Sequence, residues 1–238
     1  MINKNLLLKF LQKSYLIRFT EEEISKKYKE KKMRCPVHLS IGQEIPSAAL
    51  NLLLTKRDHA ISYHRAHAHY LAKGGSLKKM IAEIYGKKTG CSGGIGGSMH
   101  LVDKNKNFIG STAIVSSSIP VGAGFAYSIK NKKDRVCIYI GDASCEEGVF
   151  FETLNFVVLK KLPVIFFCEN NKYSVYSNLS VRQPKNRKLH KLAKAFGIKS
   201  YNFSSINPID LYKNLKKVLY NNFEPVFVEV STYRYLEH

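Results

Sequence analysis

Two short stretches of this sequence hold residue types that can do chemistry. Gly141-Asp142-Ala143-Ser144 follows the apolar run Val136-Cys-Ile-Tyr-Ile140 and opens a helical stretch running from Glu146 to Lys161. The run is short and continuous, the mark of a strand buried on both faces. In an open parallel sheet, ligands bind outside the carboxyl ends of the strands. Helix N-termini there offer free N–H groups and a positive dipole to a phosphate. Asp142 adds a carboxylate, which suits a hard cation accompanying a diphosphate. Alone, an Asp at this point is more often a plain helix cap.

The second stretch, Glu169-Asn170-Asn171-Lys172-Tyr173, follows another apolar run, Val164-Ile-Phe-Phe-Cys168. Asn171 stands 29 positions beyond Asp142, with one helical crossover between them. If the two strands are neighbours, both side chains meet at one sheet edge. A carboxylate, an amide oxygen and a backbone carbonyl then make an oxygen shell suited to Mg²⁺, which keeps a water and takes phosphate oxygens. Either stretch alone also reads as a cap or a polar turn. The pair is far more specific than its halves.

The elements that must position these residues can be read from periodicity. Residues 1–34 form a helical N-terminal arm, with Leu8, Leu11, Tyr15 and Phe19 spaced as one buried face. Pro36 ends the arm, and residues 35–238 form the main domain. Ile45–Leu54 is helical. Residues 59–118 are dense in His, Gly and Ser, long for a loop, with one helix from Ser76 to Tyr85. Further helices cover Leu189–Phe196 and Ile209–Tyr220, and Val226-Phe-Val-Glu-Val230 is a strand. Strands alternating with helices predict an α/β fold, a mostly parallel sheet with helices on both faces and right-handed crossovers.

Composition narrows the function classes. The chain has 238 residues, 45% of them hydrophobic and 11% aromatic, enough for a sizeable core. No apolar run reaches the ~18–20 residues needed to span a bilayer, and no cleavage site follows Leu6-Leu7-Leu8, so a membrane role is not expected. Five scattered cysteines without a C-x-x-C pair argue against a disulfide framework and for the cytoplasm. The net charge of +20 is spread along Lys26–Arg34, Lys185–Lys194 and Lys213–Lys217. It reads as a solvated, compositionally biased surface before an acidic partner, with nucleic acid last.

The sequence resembles the α subunits of thiamine-diphosphate-dependent E1 enzymes of the pyruvate, branched-chain 2-oxo acid and acetoin dehydrogenase complexes. Gly141-Asp142 and Asn170-Asn171 resemble that family's thiamine diphosphate motif. Ser62-Tyr-His-Arg-Ala-His-Ala-His-Tyr-Leu-Ala-Lys-Gly74 is similar to its cofactor-binding segment, and Gly93-Gly-Ile-Gly-Gly-Ser-Met-His100 to a signature downstream. Gly110–Gly124, with Ala113-Ile-Val115, resembles the segment whose backbone meets the aminopyrimidine ring, and Thr232-Tyr-Arg-Tyr235 the start of the active-site loop.

The resemblance implies a three-layer thiamine-diphosphate-binding fold with thiamine diphosphate and Mg²⁺ as cofactors. Asp142, Asn171 and the Tyr173 carbonyl would hold the metal. His64, Arg65, Ala113, Val115, Gly141, Ala143, Ser144 and His238 would line the cofactor site, with His64 and His238 on the catalytic side. It implies an E1 β subunit in an α₂β₂ heterotetramer and a lipoyl-bearing E2. The reaction would be decarboxylation of a 2-oxo acid or cleavage of acetoin, with transfer of the acyl unit.

The chain departs from the family pattern in three places. Ala143 stands where Gly is usual and Glu146 where Asn is usual, and Leu236-Glu237-His238 replaces His-Gly-His. Two alternatives therefore stay open: a catalytically degenerate subunit that binds cofactor or partner, and a transketolase-like lyase. Other motifs fail their own tests. The spacing of His64, His67 and His69 lacks the i, i+4 pair of helical zinc hydrolases, no buried strand precedes Gly93–Gly97, and Gly86-Lys-Lys-Thr89 lacks the P-loop's first glycine.

Overall fold

In this computed structural model the described residues are 4–236 and 238. Residues 1–3 of the expected arm, and Glu237, lie outside them. The strands in chain order are β1 (His59–Ser62), β2 (Phe108–Ser111), β3 (Val136–Gly141), β4 (Val164–Asn170), β5 (Tyr173–Ser174), β6 (Ser177–Asn178), β7 (Lys199–Ser204) and β8 (Val226–Ser231). The helices are α1 (Lys4–Tyr28), α2 (Glu44–Asn51), α3 (His67–Ala72), α4 (Leu77–Ile84), α5 (Ser118–Ser128), α6 (Gly148–Leu159), α7 (Leu179–Arg182), α8 (Leu189–Ala195) and α9 (Pro208–Leu219).

Six strands form one sheet in the order β2-β1-β3-β4-β8-β7, every neighbouring pair parallel. Side chains alternate across a strand, so each apolar run feeds two cores. Val136, Ile138 and Ile140 pack with α5, α6 and α8, whereas Cys137 and Tyr139 pack with α1, α2, α3, α4 and α9. The expected α/β class with helices on both faces is the observed architecture. β5 and β6 form a separate small hairpin beyond the end of β4.

The arm corrects one expectation. α1 buries Phe10, Ile17, Thr20, Glu21 and Ile24, while Leu8, Leu11, Tyr15 and Phe19 are exposed. The helix carries two apolar stripes, and polar anchors choose between them. Lys13 Nζ donates to the Ala72 carbonyl, Arg18 forms a two-pronged pair with Glu44, and the Glu21 carboxylate accepts from the Ser40 N–H. Residues 59–118 are also more ordered than expected, since β1, α3 and β2 lie there beside the anticipated α4.

At the amino end of the sheet, Asp58 binds Arg135 through two side-chain bonds of 3.0 and 2.7 Å and takes a third from the Arg135 backbone N–H. Both residues are buried. Burial alone would push the Asp58 carboxyl up, but the arginine's bonds and charge outweigh it and leave it below the usual range.

Candidate active site

Strand order decides where a ligand can sit. The chain steps from β1 outward to β2, then returns to place β3 on the other side of β1. Loops leaving neighbouring strands in opposite directions open a crevice at their carboxyl ends. The loop after β1 brings Tyr63, His64 and Arg65 to that crevice, and the turn after β3 brings Gly141–Ser144. β4 lies next to β3 with Gly141 opposite Glu169, so Asn171 reaches the same edge.

The result is a cavity of about 170 Å³ lined by every site residue singled out from the sequence: His64, Arg65, Ala113, Val115, Gly141, Asp142, Ala143, Ser144, Asn171, Tyr173 and His238. Sequence reasoning did not single out His38, Tyr63, Met99, Ser174, Val175 and Arg234 in the same lining, although Tyr63 and Met99 lie inside motifs it quoted. Their signals were weak, because an isolated His or Arg outside a motif carries no spacing to read. Arg234 was legible only as part of Thr232–Tyr235.

Asp142 does not open α6 as a cap. It sits in a 3₁₀ turn, Asp142–Glu146, and α6 begins six residues later at Gly148. The carboxylate is 2% exposed and its Oδ2 accepts from Arg182 Nη2 at 2.5 Å. Burial raises its pKa above the ordinary carboxylate value, and the Arg182 bond and charge oppose the rise. Glu146, the departure from the family's Asn, is partly exposed but tied down; it accepts from Arg182 and Gln183 at 2.6 Å each. Asn171 donates to Gln43 Oε1 at 2.8 Å and accepts from the Tyr173 N–H at 2.9 Å, which folds the backbone back over the cavity. Lys172 adopts a left-handed φ of 68° to make that turn.

Three imidazoles cluster at the wall. The ring centres of His38, His64 and His238 are 4.9, 4.6 and 5.5 Å apart. Arg65 Nη2 lies 2.8 Å and Arg234 Nη1 3.4 Å from His238 Nδ1. Arginine can only donate, so Nδ1 accepts and the ring proton sits on Nε2. Burial, then the neighbouring positive groups, lowers His64 to about 3 and His38 to about 4; the same causes lower His238 to about 4.

These rings stay neutral in the fold below the ordinary value of 6.5, whereas the unfolded chain takes up protons there. Stability is therefore full above pH 6.5 and falls as the pH drops from 6.5 toward 4. The thermal midpoint should decline across that window, and His64→Asn should flatten the decline. A midpoint independent of pH between 7 and 4.5 would contradict it.

The other histidines singled out lie apart from the cavity. His67 is fully buried between Glu21, at 3.2 Å, and Ser98 Oγ, at 2.8 Å, and Ser98 is itself sealed from solvent. His69 bridges Ser62 and the buried Glu169 and stacks on Tyr139. His100 is at the surface. The glycine run 93–97 folds as an anion nest, but the protein fills it. The Glu83 carboxylate, 0% exposed, accepts from the N–H groups of Ser92, Gly94, Gly96 and Gly97 at 2.7–3.1 Å. Gly90 lies so close that an added Cβ would fall 2.2 Å from a Glu83 oxygen.

A family model described as "Dehydrogenase E1 component" matches residues 12–238. The chain is 36% identical over 228 residues to the pyruvate dehydrogenase E1 component subunit alpha of Rickettsia typhi, covering 94% of this chain and 70% of that one. It is 42% identical over 175 residues to the mitochondrial counterpart of Dictyostelium discoideum, covering 73% of this chain and 46% of that one. A transketolase structure from Campylobacter jejuni superposes with a TM-score of 0.72 over 97% of this chain and 38% of its own, at 15% identity, a likeness of fold. With the match to the family model running through both motif halves and the cavity they build, the chain belongs to the dehydrogenase E1 component family.

Proposed function

We propose that this chain is the α subunit of a thiamine-diphosphate-dependent E1 dehydrogenase. It would decarboxylate a 2-oxo acid such as pyruvate, or cleave acetoin, and pass the acyl group to a lipoyl-bearing E2. The observation that carries the reading is the convergence of both motif halves, at neighbouring strand ends, on one cavity.

The residues present fit the cofactor. At Gly141, on the cavity wall, an added Cβ would meet nothing within 4 Å, which leaves backbone open to a ligand. His38 Nδ1 is buried without a hydrogen-bond partner. Among the described residues no three His, Cys, Asp or Glu side chains are grouped to hold a metal by themselves. A cation here would draw on the Asp142 carboxylate, the Asn171 amide, the Tyr173 carbonyl and the ligand's phosphate oxygens, all hard donors suited to Mg²⁺.

When bound, thiamine diphosphate supplies the carbanion chemistry, and the protein supplies binding, orientation and electrostatics. Asp142, Asn171 and Tyr173 would anchor the diphosphate end through the metal. Arg65 and Arg234 bring positive charge to a wall of neutral imidazoles, an arrangement that attracts anions without offering an acidic proton of its own. His64 would accept a proton at a ring nitrogen, and His238, whose Nδ1 is held by the arginines, would offer its Nε2–H as a hydrogen-bond donor. The hairpin β5–β6 and residues 232–236 lie over the site: Arg234 Nη2 donates to the Val175 carbonyl at 2.7 Å and joins the two.

The cavity is smaller than the ~300–1,000 Å³ usual for small-molecule sites, and Ile114 and Val121 are exposed in the segment beyond Ala113. A β subunit covering that side would complete the site. No helix among the described residues is long and apolar enough to cross a membrane, and a reducing cytoplasm suits the five free thiols.

The test is calorimetric titration of thiamine diphosphate into the chain assembled with its partner subunit, with and without Mg²⁺. Binding should require Mg²⁺ and should weaken at least as much in Asp142→Ala as the roughly 10–100-fold that loss of a mere outer-shell partner costs. Absence of binding in the assembled protein would refute the reading and favour the degenerate-subunit alternative.

A further inference from the structure

Arg182 ends α7 and reaches back over the carboxyl end of β3. Its Nη2 donates to Asp142 Oδ2 at 2.5 Å, its Nη1 to Glu146 Oε1 at 2.6 Å, and its Nε to the Ser177 carbonyl at 3.2 Å. Gln183 Nε2 binds the same Glu146 oxygen at 2.6 Å. The arginine side chain is only 12% exposed. One planar fork thus joins the turn that carries Asp142 to the segment, residues 171–183, that carries Asn171 and Tyr173. The point charge of a lysine could not span these three acceptors.

From this geometry we infer that Arg182, balanced by Glu146, is the positioning residue of the cation-binding carboxylate. The inference rests on the reading of Asp142 as the Mg²⁺ ligand. Arg182 grips Oδ2, fixes the side chain's rotamer and leaves Oδ1 for the cation. A lone guanidinium at this distance would cancel the carboxylate's charge and repel a divalent ion. Glu146 removes that conflict: the Arg182–Glu146 pair is neutral, so Asp142 keeps its full charge for the metal. This also accounts for the carboxylate at position 146 where the family usually has Asn. With Asn there, the arginine would be unbalanced.

The experiment uses the chain assembled with its partner subunit and Mn²⁺ as the probe, in the presence of thiamine diphosphate, with free Mn²⁺ read by electron paramagnetic resonance. Thermal midpoints without metal are measured in parallel. Arg182→Gln should weaken Mn²⁺ binding about tenfold, as loss of an orienting outer-shell partner does, well below its own melting temperature. Glu146→Gln keeps the shape but unbalances Arg182, and should weaken Mn²⁺ binding several-fold; it decides the matter if Arg182→Gln does not fold. Tighter binding in Arg182→Gln would make the arginine a competitor for the metal's place and overturn the inference. Unchanged affinity with a lowered midpoint would make it merely structural and overturn it equally. If the wild type binds Mn²⁺ and Asp142→Ala does not, the site reading survives such a failure. If the wild type itself does not bind, both fall together.

Discussion

Glu83→Ala should lower the free energy of unfolding by about 4 kcal/mol, the largest single-residue loss expected near the site. The carboxylate takes four backbone N–H bonds from one glycine-rich loop. Hydrogen bonds to a charged group contribute roughly 1.5–3 kcal/mol each, and unpaired buried donors carry a further penalty. Partial access of water to the loop keeps the total below the simple sum. Glu83→Gln should be milder but still costly, because its amide –NH₂ would face two of the donors. The loop runs directly into Ser98, which binds His67, and Met99, which lines the cavity. Loss of Glu83 should therefore loosen the cavity wall as well as the fold. Chemical denaturation gives the stability change, and amide exchange at residues 92–99 gives the local one. Wild-type exchange in Glu83→Ala would contradict the argument.

The second large effect is expected at the opposite end of the sheet. Asp58→Ala leaves the Arg135 guanidinium buried with the Leu219 carbonyl as its remaining bonded acceptor. Breaking a buried pair from one side costs about 3–5 kcal/mol, mostly from the stranded charge. The double variant Asp58→Ala, Arg135→Met removes that charge and should recover much of the loss. Denaturant midpoints of the two variants separate the cases. If the double variant is no more stable than the single one, the stranded charge is not the cause.

The parts of the fold that were legible in the sequence share one property: their residues face a core on both sides or on one continuous stripe. β3, β4 and β8 are buried along nearly their whole length, so unbroken apolar runs reveal them. β1 reads His-Ala-Ile-Ser and the edge strand β7 reads Lys-Ser-Tyr-Asn-Phe-Ser, and neither pattern signals a strand without its neighbours. α1 offers two apolar stripes of similar quality, and its anchors to Ala72, Ser40 and Glu44 lie far off in sequence.

The same rule separates the site residues. Asp142 and Asn171 stand directly after apolar strands, where position in the fold can be inferred from position in the chain. His38 and Arg182 owe their roles to contacts across tens of residues and Glu83 to a loop 9–14 residues on, and one His, Arg or Glu in a polar stretch has no period to betray it. The glycine run 93–97 failed the test for a dinucleotide loop, and its nest of N–H groups is seen only in the fold. That its anion is the protein's own carboxylate follows only from the direction in which α4 presents Glu83.

The place of β8 bears on the order in which the molecule can assemble. It lies between β4 and β7, both made earlier on the ribosome. Until residues 226–231 emerge, those two strands have no common partner, and each presents an open edge to other chains. Such edges invite aggregation, and contacts of long sequence separation form slowly. The nascent chain therefore needs protection late in synthesis. The cavity must also await this event, because the segment carrying Arg234 and His238 leaves the tip of β8, where the Thr232 N–H binds the Asn170 carbonyl. Completion of the sheet and closure of this chain's share of the cavity are the same folding step.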